Sequence, residues 1–92
     1  LKNANNTKLL LNNPLFNQTN KNFRLADFTN CIMVRSNFSK SNLQGADLWK
    51  AELQGADLSD AKLQGADLSE AELQGAYFKV TNLKGTNLEN ID

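Results

Sequence analysis

The sequence predicts an all-β solenoid of stacked, four-sided coils, and three observations predict it. A large apolar residue returns at every fifth position from Phe23 to Leu88. A second, mostly small residue sits two places before each of them. Glycine marks only every second turn position, at Gly45, Gly55, Gly65, Gly75 and Gly85.

The large series is Phe23, Phe28, Met33, Phe38, Leu43, Leu48, Leu53, Leu58, Leu63, Leu68, Leu73, Phe78, Leu83 and Leu88, without an insertion. On an α-helix five residues advance by about 500°, so these side chains would spiral around it. On a straight strand side chains alternate, and an odd spacing would send successive leucines to opposite faces. The spacing is satisfied when the chain turns a corner in every unit. The second series runs Lys21, Ala26, Cys31, Ser36, Ser41, then alanine from Ala46 to Ala76, then Thr81, Thr86 and Ile91. Two residues apart on a short extended segment, small and large members point to the same side. That side is the inside, and the three remaining positions of each unit are mostly polar.

The glycines decide the number of sides. In Leu43-Gln44-Gly45-Ala46 a type II turn places Gly45 third, where φ must be positive. Alternate corners carry Lys50, Asp60, Glu70, Val80 and Asn90, and are expected to use a turn that needs no positive φ. Coils stack best with like corners over like. A three-sided coil would set glycine corners over the others, whereas a twenty-residue coil puts Gly45, Gly65 and Gly85 on one edge and Gly55 and Gly75 on the opposite one. Handedness does not follow from this argument.

The units Ala46-Asp47-Leu48, Ala56-Asp57-Leu58 and Ala66-Asp67-Leu68 resemble the pentapeptide-repeat protein family, and the resemblance covers fourteen units over residues 21–92. It implies a right-handed, quadrilateral β-helix of about 3.6 coils, roughly 17 Å long at the inter-strand spacing. Residues 1–20 break the pattern and form an N-terminal cap or a degenerate coil. Pro14 cannot donate to a central ladder, and Leu9, Leu10, Leu11, Leu15 and Phe16 are too apolar for a free tail. A cap is favoured, with a helical turn at residues 7–12 as one form of it. It would cover Leu25, Ile32 and Val34, apolar at outward positions. At the other end no capping helix follows, and the last coil is expected to expose Leu83, Leu88 and strand edges. Either the native chain continues or the C-terminal coil associates end to end.

Composition removes most chemistry. The 92 residues carry ten Lys/Arg, ten Asp/Glu, one cysteine and no histidine. Residues 1–40 hold six bases against one acid and residues 41–92 four bases against nine acids, a split of +5 and −5. Without histidine the commonest general base is missing. Cys31 lies in the inward series as a filler, and one cysteine makes neither an intrachain disulfide nor a Cys-rich metal site. The glycines stand singly and make no phosphate loop. No apolar run reaches the roughly 18 residues of a membrane span. The expectation is a non-enzyme with no catalytic, cofactor-binding or metal-ligating residues, no cofactor, no direct nucleic-acid binding and no membrane span.

What remains is the surface. A twenty-residue coil stacks Asp27, Asp47, Asp67 and Asn87 in one column, beside Trp49, Lys50, Ser69, Glu70 and Glu89. Close carboxylates can hold a hard cation, but this column reads as a solvated face. Outward tryptophans are frequent interface anchors, so the candidate interaction surface is Asp47, Trp49, Asp67 and Glu70, with Asp57 and Asp60. The next columns hold Glu52 with Glu72, and Asp57 with Asp60. Gln44 with Gln64, and Gln54 with Gln74, are expected to form amide ladders.

The function expected is a non-catalytic structural or interaction scaffold for a protein partner, alone or within a larger (cyano)bacterial protein. The resemblance implies an alternative, a DNA-mimicking regulator that binds DNA gyrase through the acidic half; the neutral total and the basic first forty residues count against it. Ice binding needs an array of threonines, which Thr29, Thr81 and Thr86 do not form. Members of the family occur in cytoplasm, periplasm or thylakoid lumen, and the sequence selects none of these.

Overall fold

The computed structural model describes residues 18–91; the cap expected before them lies outside these residues except at its last three. Every segment between corners is too short to be a strand of several residues, and each contributes one bridging residue. Ten parallel bridges join residues twenty apart, from Asn22↔Asn42 to Asp67↔Asn87. The coil therefore has twenty residues and four corners, as the glycine spacing predicts. Each bridge is a pair of backbone bonds: the Leu48 N–H donates to the Asp67 carbonyl at 2.7 Å and the Asp67 N–H to the Ala46 carbonyl at 2.9 Å. The pattern reaches back to Gln18 and Asn20, whose N–H groups donate to the carbonyls of Asn37 and Ser39.

The bridges define four faces. We name them the tryptophan face (26–29, 46–49, 66–69, 86–89), the glutamate face (31–34, 51–54, 71–74), the tyrosine face (36–39, 56–59, 76–79) and the lysine face (21–24, 41–44, 61–64, 81–84). Gly45, Gly65 and Gly85 lie on the edge where the lysine face turns into the tryptophan face.

The corners correct one expectation. Positive φ is not confined to the glycines: Lys50, Asp60, Glu70, Val80 and Asn90 also adopt it, between 56° and 60°. So do Leu25 and Arg35, which hold glycine-series positions in the first coil, at 62° and 60°. The reason is the shared closure of the corner. From Phe23 to Leu83 each large residue's carbonyl accepts the N–H three residues on, as Leu48 does from Ala51 at 3.0 Å. Closed in this way and repeated at every corner, the turn takes the left-handed form here whether or not its third residue is glycine. Stacking tells the glycines apart instead. A Cβ on Gly45 would stand 2.7 Å from Leu25 Cδ2, so the missing side chain makes room for Leu25 from the coil before. At Gly65 nothing lies within 4 Å.

Inside, the two inward series fill the axis. Phe28, Met33, Phe38 and every leucine from Leu43 to Leu68 are buried, as are Cys31 and the alanines from Ala46 to Ala71. Phe23, Phe28 and Phe38 pack edge to face with centroids 5.4–5.9 Å apart. That geometry suits the ring quadrupole better than stacking face to face. Hydroxyls in the small series bond to the preceding coil. Ser41 Oγ donates to the Gln18 carbonyl, Thr81 Oγ1 to Leu58 at 2.6 Å and Thr86 Oγ1 to Leu63 at 2.8 Å.

The last coil differs. Leu73, Phe78 and Leu83 are only partly buried, and Leu88, an inward-series residue in the coil expected to be open, is 45% exposed. With Ile91 they line an open apolar basin of about 330 Å³. Lys21, in an inward slot at the other end, is exposed.

Candidate functional site

The outward side chains sit on a lattice fixed by the coil, and the first surprise is what the aspartates do. Asp and Asn just before a large residue accept a hydrogen bond through Oδ1 from the N–H two positions on. Asp27, Asp47, Asp57 and Asp67 do so from Thr29, Trp49, Ser59 and Ser69 at 2.9–3.1 Å. Asn22, Asn37, Asn42, Asn82 and Asn87 do the same. These are Asx turns, in which a short side chain substitutes for a backbone acceptor at the entry to each corner. The recurring Asp/Asn of the repeat is therefore first a structural residue, and its charge is secondary. Ser69 Oγ adds a 2.5 Å bond to Asp67. At Asp27 the Thr29 hydroxyl, then the Thr29 N–H, hold the carboxyl below its ordinary value against a small opposing effect of burial.

Trp49 does not project freely. It is half-buried, its Nε1 donates to Glu70 Oε2 at 3.3 Å, and Lys50 Nζ sits 4.6 Å from the ring centroid. A cation over an indole face is attracted by the ring quadrupole. The ring is held along the surface between two coils.

Of the six surface residues expected from the sequence, the structure brings four together. Asp47 and Asp67 are bridged neighbours on the tryptophan face, and Trp49 and Glu70 meet there. Asp57 lies on the opposite, tyrosine face, bridged to Tyr77, and Asp60 is on that face's far corner. The expected amide ladders are corrected at two atoms: Gln54 Oε1 and Gln64 Oε1 are buried without a hydrogen-bond partner. Gln74, beside Gln54, is exposed, so water competes for its amide. Among the described residues no group of three or more His, Cys, Asp or Glu side chains is placed to hold a metal ion. Nor is any helix among them long and apolar enough to cross a membrane.

Sequence reasoning sorted charge along the chain; the coil sorts it across the rod. The tryptophan and glutamate faces, with the corner between them, carry seven acids (Asp27, Asp47, Glu52, Asp67, Glu70, Glu72 and Glu89) and one base, Lys50. The lysine face carries Arg24, Lys62 and Lys84 at outward positions and no acid. Column arithmetic applied to the bases as well as the acids would have found it.

The model of the pentapeptide-repeat family matches residues 22–60 and 51–90, as eight copies in all. The chain belongs to the pentapeptide-repeat family. Solved structures agree. The alr5209 pentapeptide-repeat protein of Nostoc PCC 7120 is 39% identical with a TM-score of 0.72, over 73% of this chain and 55% of that one. HetL, a Nostoc pentapeptide-repeat protein involved in heterocyst differentiation regulation, is 31% identical with a TM-score of 0.56, over 82% and 39%. QnrB1, a plasmid-mediated fluoroquinolone resistance protein, is 25% identical with a TM-score of 0.50, over 83% and 49%. This chain thus spans about half the length of these relatives or less. No curated protein matches it.

Proposed function

We propose that this chain is a non-catalytic scaffold module, a right-handed quadrilateral β-helix that presents the tryptophan face to a protein partner. The observation that carries this reading is Trp49, laid along a flat, acid-rich face and fixed by Glu70 and Lys50. An aromatic side chain whose rotamer is set beforehand loses little freedom on binding. Asp47, Asp67 and Glu70 surround it, so the partner surface is basic. Asp57 and Asp60, on the opposite side, belong to a different contact if to any. The last coil offers a second, apolar contact for end-to-end association. The test is a pull-down with wild type, Trp49→Ala and Asp57→Asn. Loss of the same bound protein with Trp49→Ala alone supports the reading. Identical bound proteins for all three would remove Trp49 as the anchor.

A second reading is favoured by the likeness to QnrB1 and by the seven acids on two adjacent faces: regulation of DNA gyrase through a surface that imitates the charge of DNA. The acid-free lysine face opposes it, because that side of the rod has the wrong sign. A gyrase supercoiling assay decides, and an unchanged rate at micromolar protein eliminates this reading.

A further inference from the structure

We propose that this chain associates laterally with copies of itself, the tryptophan face of one rod against the lysine face of the next. The two faces adjoin along the glycine edge and are opposite in sign. The tryptophan face presents Asp27, Asp47, Asp67 and Glu89 with no base at its outward positions, and the lysine face presents Arg24, Lys62 and Lys84 with no acid. These three bases are exposed and make no side-chain hydrogen bond or ion pair among the described residues. The whole chain has a formal net charge of zero, so copies meet without overall repulsion and the segregated faces decide how they orient.

The register fits as well as the sign. The four levels of the lysine face are Asn22–Arg24, Asn42–Gln44, Lys62–Gln64 and Asn82–Lys84; those of the tryptophan face are Asp27–Thr29, Asp47–Trp49, Asp67–Ser69 and Asn87–Glu89. Two parallel rods at the same height set Arg24 opposite Asp27 beside the shared edge; Lys62 and Lys84 share levels with Asp67 and Glu89 but stand two residues across the face from them, within reach of a long side chain. The level without a base, Asn42–Gln44, meets that of Trp49.

The shape allows the assembly to close. Each corner turns the coil through a quarter of a revolution, so a rod laid with its lysine face on its neighbour's tryptophan face is rotated by the same amount. Four such steps close a ring in which every copy uses both faces. The edges at the centre are those of Gly45, Gly65 and Gly85, where the corner itself carries no side chain. Below them on the same edge stands Leu25, 65% exposed, and the ring would gather its four copies at the axis. Magnitude sets how tight this is. At about 4.8 Å per level each face is only some 15 Å tall, so the area per contact falls well short of the roughly 800 Å² per partner of a stable interface. Exposed ion pairs add little each. The association is accordingly weak, reversible and sensitive to salt.

Sedimentation velocity on the whole chain at several hundred micromolar tests it, at ionic strengths of about 0.01 M and about 0.3 M, where charges on separate surfaces are respectively felt and screened. The expected result is a weight-average mass at least twice the monomer's at low salt that returns to the monomer's at high salt. The Lys62→Glu/Lys84→Glu variant should remain monomeric at low salt, whereas Lys62→Arg/Lys84→Arg should associate as wild type does. Circular dichroism confirms that both variants are folded; these positions are exposed. A monomer at low salt, or association that ignores the charge reversal, overturns the proposal. Association that survives high salt overturns it too, and assigns the contact to the apolar last coil instead.

Discussion

The third and the last coil carry nearly the same motif and fare differently. Ala66-Asp67-Leu68-Ser69-Glu70 and Thr86-Asn87-Leu88-Glu89-Asn90 both turn a left-handed corner, and both Asp67 and Asn87 make the Asx bond. Leu68 is fully buried, however, while Leu88 is 45% exposed. Backbone shape in this chain is local; burial is supplied by the neighbour. In a solenoid each coil contacts only the coils on either side, so an inward side chain at a free end has half a core around it. The amides show the same contrast. The N–H of Leu68 donates to the Asn87 carbonyl, whereas those of Phe78 and Leu83, which would donate to a following coil, have no acceptor among the described residues.

That contrast is broken or sharpened most strongly by truncating equivalent leucines. Leu58→Ala, in the buried middle, should lower stability by about 2–5 kcal/mol in urea unfolding. Leu88→Ala should cost less than about 1 kcal/mol, since little area returns to water. Equal losses would mean that the last coil is covered in solution. The corner comparison comes next. Val80 is β-branched, 75% exposed and held at φ 60°. Val80→Gly should therefore raise stability by about 0.5–1 kcal/mol, the relief of the left-handed strain less the extra chain entropy. Gly65→Ala, with open space around it, should lower stability by about 1 kcal/mol through φ alone. Opposite signs at the two corners are expected from thermal melts, and the same sign would contradict the shared turn.

The Asx bonds are smaller. Asp47→Ala should cost about 0.5–1.5 kcal/mol, while Asp47→Asn, which keeps the acceptor, should cost almost nothing. Smallest is the pH effect at Asp27. Its carboxyl is held below the ordinary value, chiefly by Thr29. Its stabilising share is therefore present above the unfolded aspartate value of about 3.9 and is lost as pH falls through the lower folded value. Thr29→Val should lower stability slightly at neutral pH and shrink that acid-side loss, leaving stability at the lowest pH unchanged. An unchanged acid limb would show that the Thr29 hydroxyl is not the cause.

Much of this was legible in the sequence because it rests on spacing. Five-residue periodicity names the inward residues, and glycine periodicity names the twenty-residue coil. One feature was not legible, for a physical reason. The left-handed corners at Lys50 and Glu70 were hidden because propensity describes a residue's preference, and the closed turn overrides it. The exposure of Leu88 was legible, because an inward side chain in the last coil has only one neighbouring coil to cover it. The division of the candidate surface was legible too, since the twenty-residue coil puts Asp57 and Asp60 in other columns than Trp49. Asp47, Trp49, Asp67 and Glu70 were found together because their spacings of twenty and twenty-one residues bring them to adjacent coils.

The central claim is the twenty-residue register, and scalar couplings across hydrogen bonds read it directly by NMR. The Leu48 amide nitrogen should couple to the Asp67 carbonyl carbon, and the Asp67 nitrogen to that of Ala46. Couplings that instead joined residues about fifteen apart, or none between coils, would contradict the four-sided coil on which every face of the rod depends.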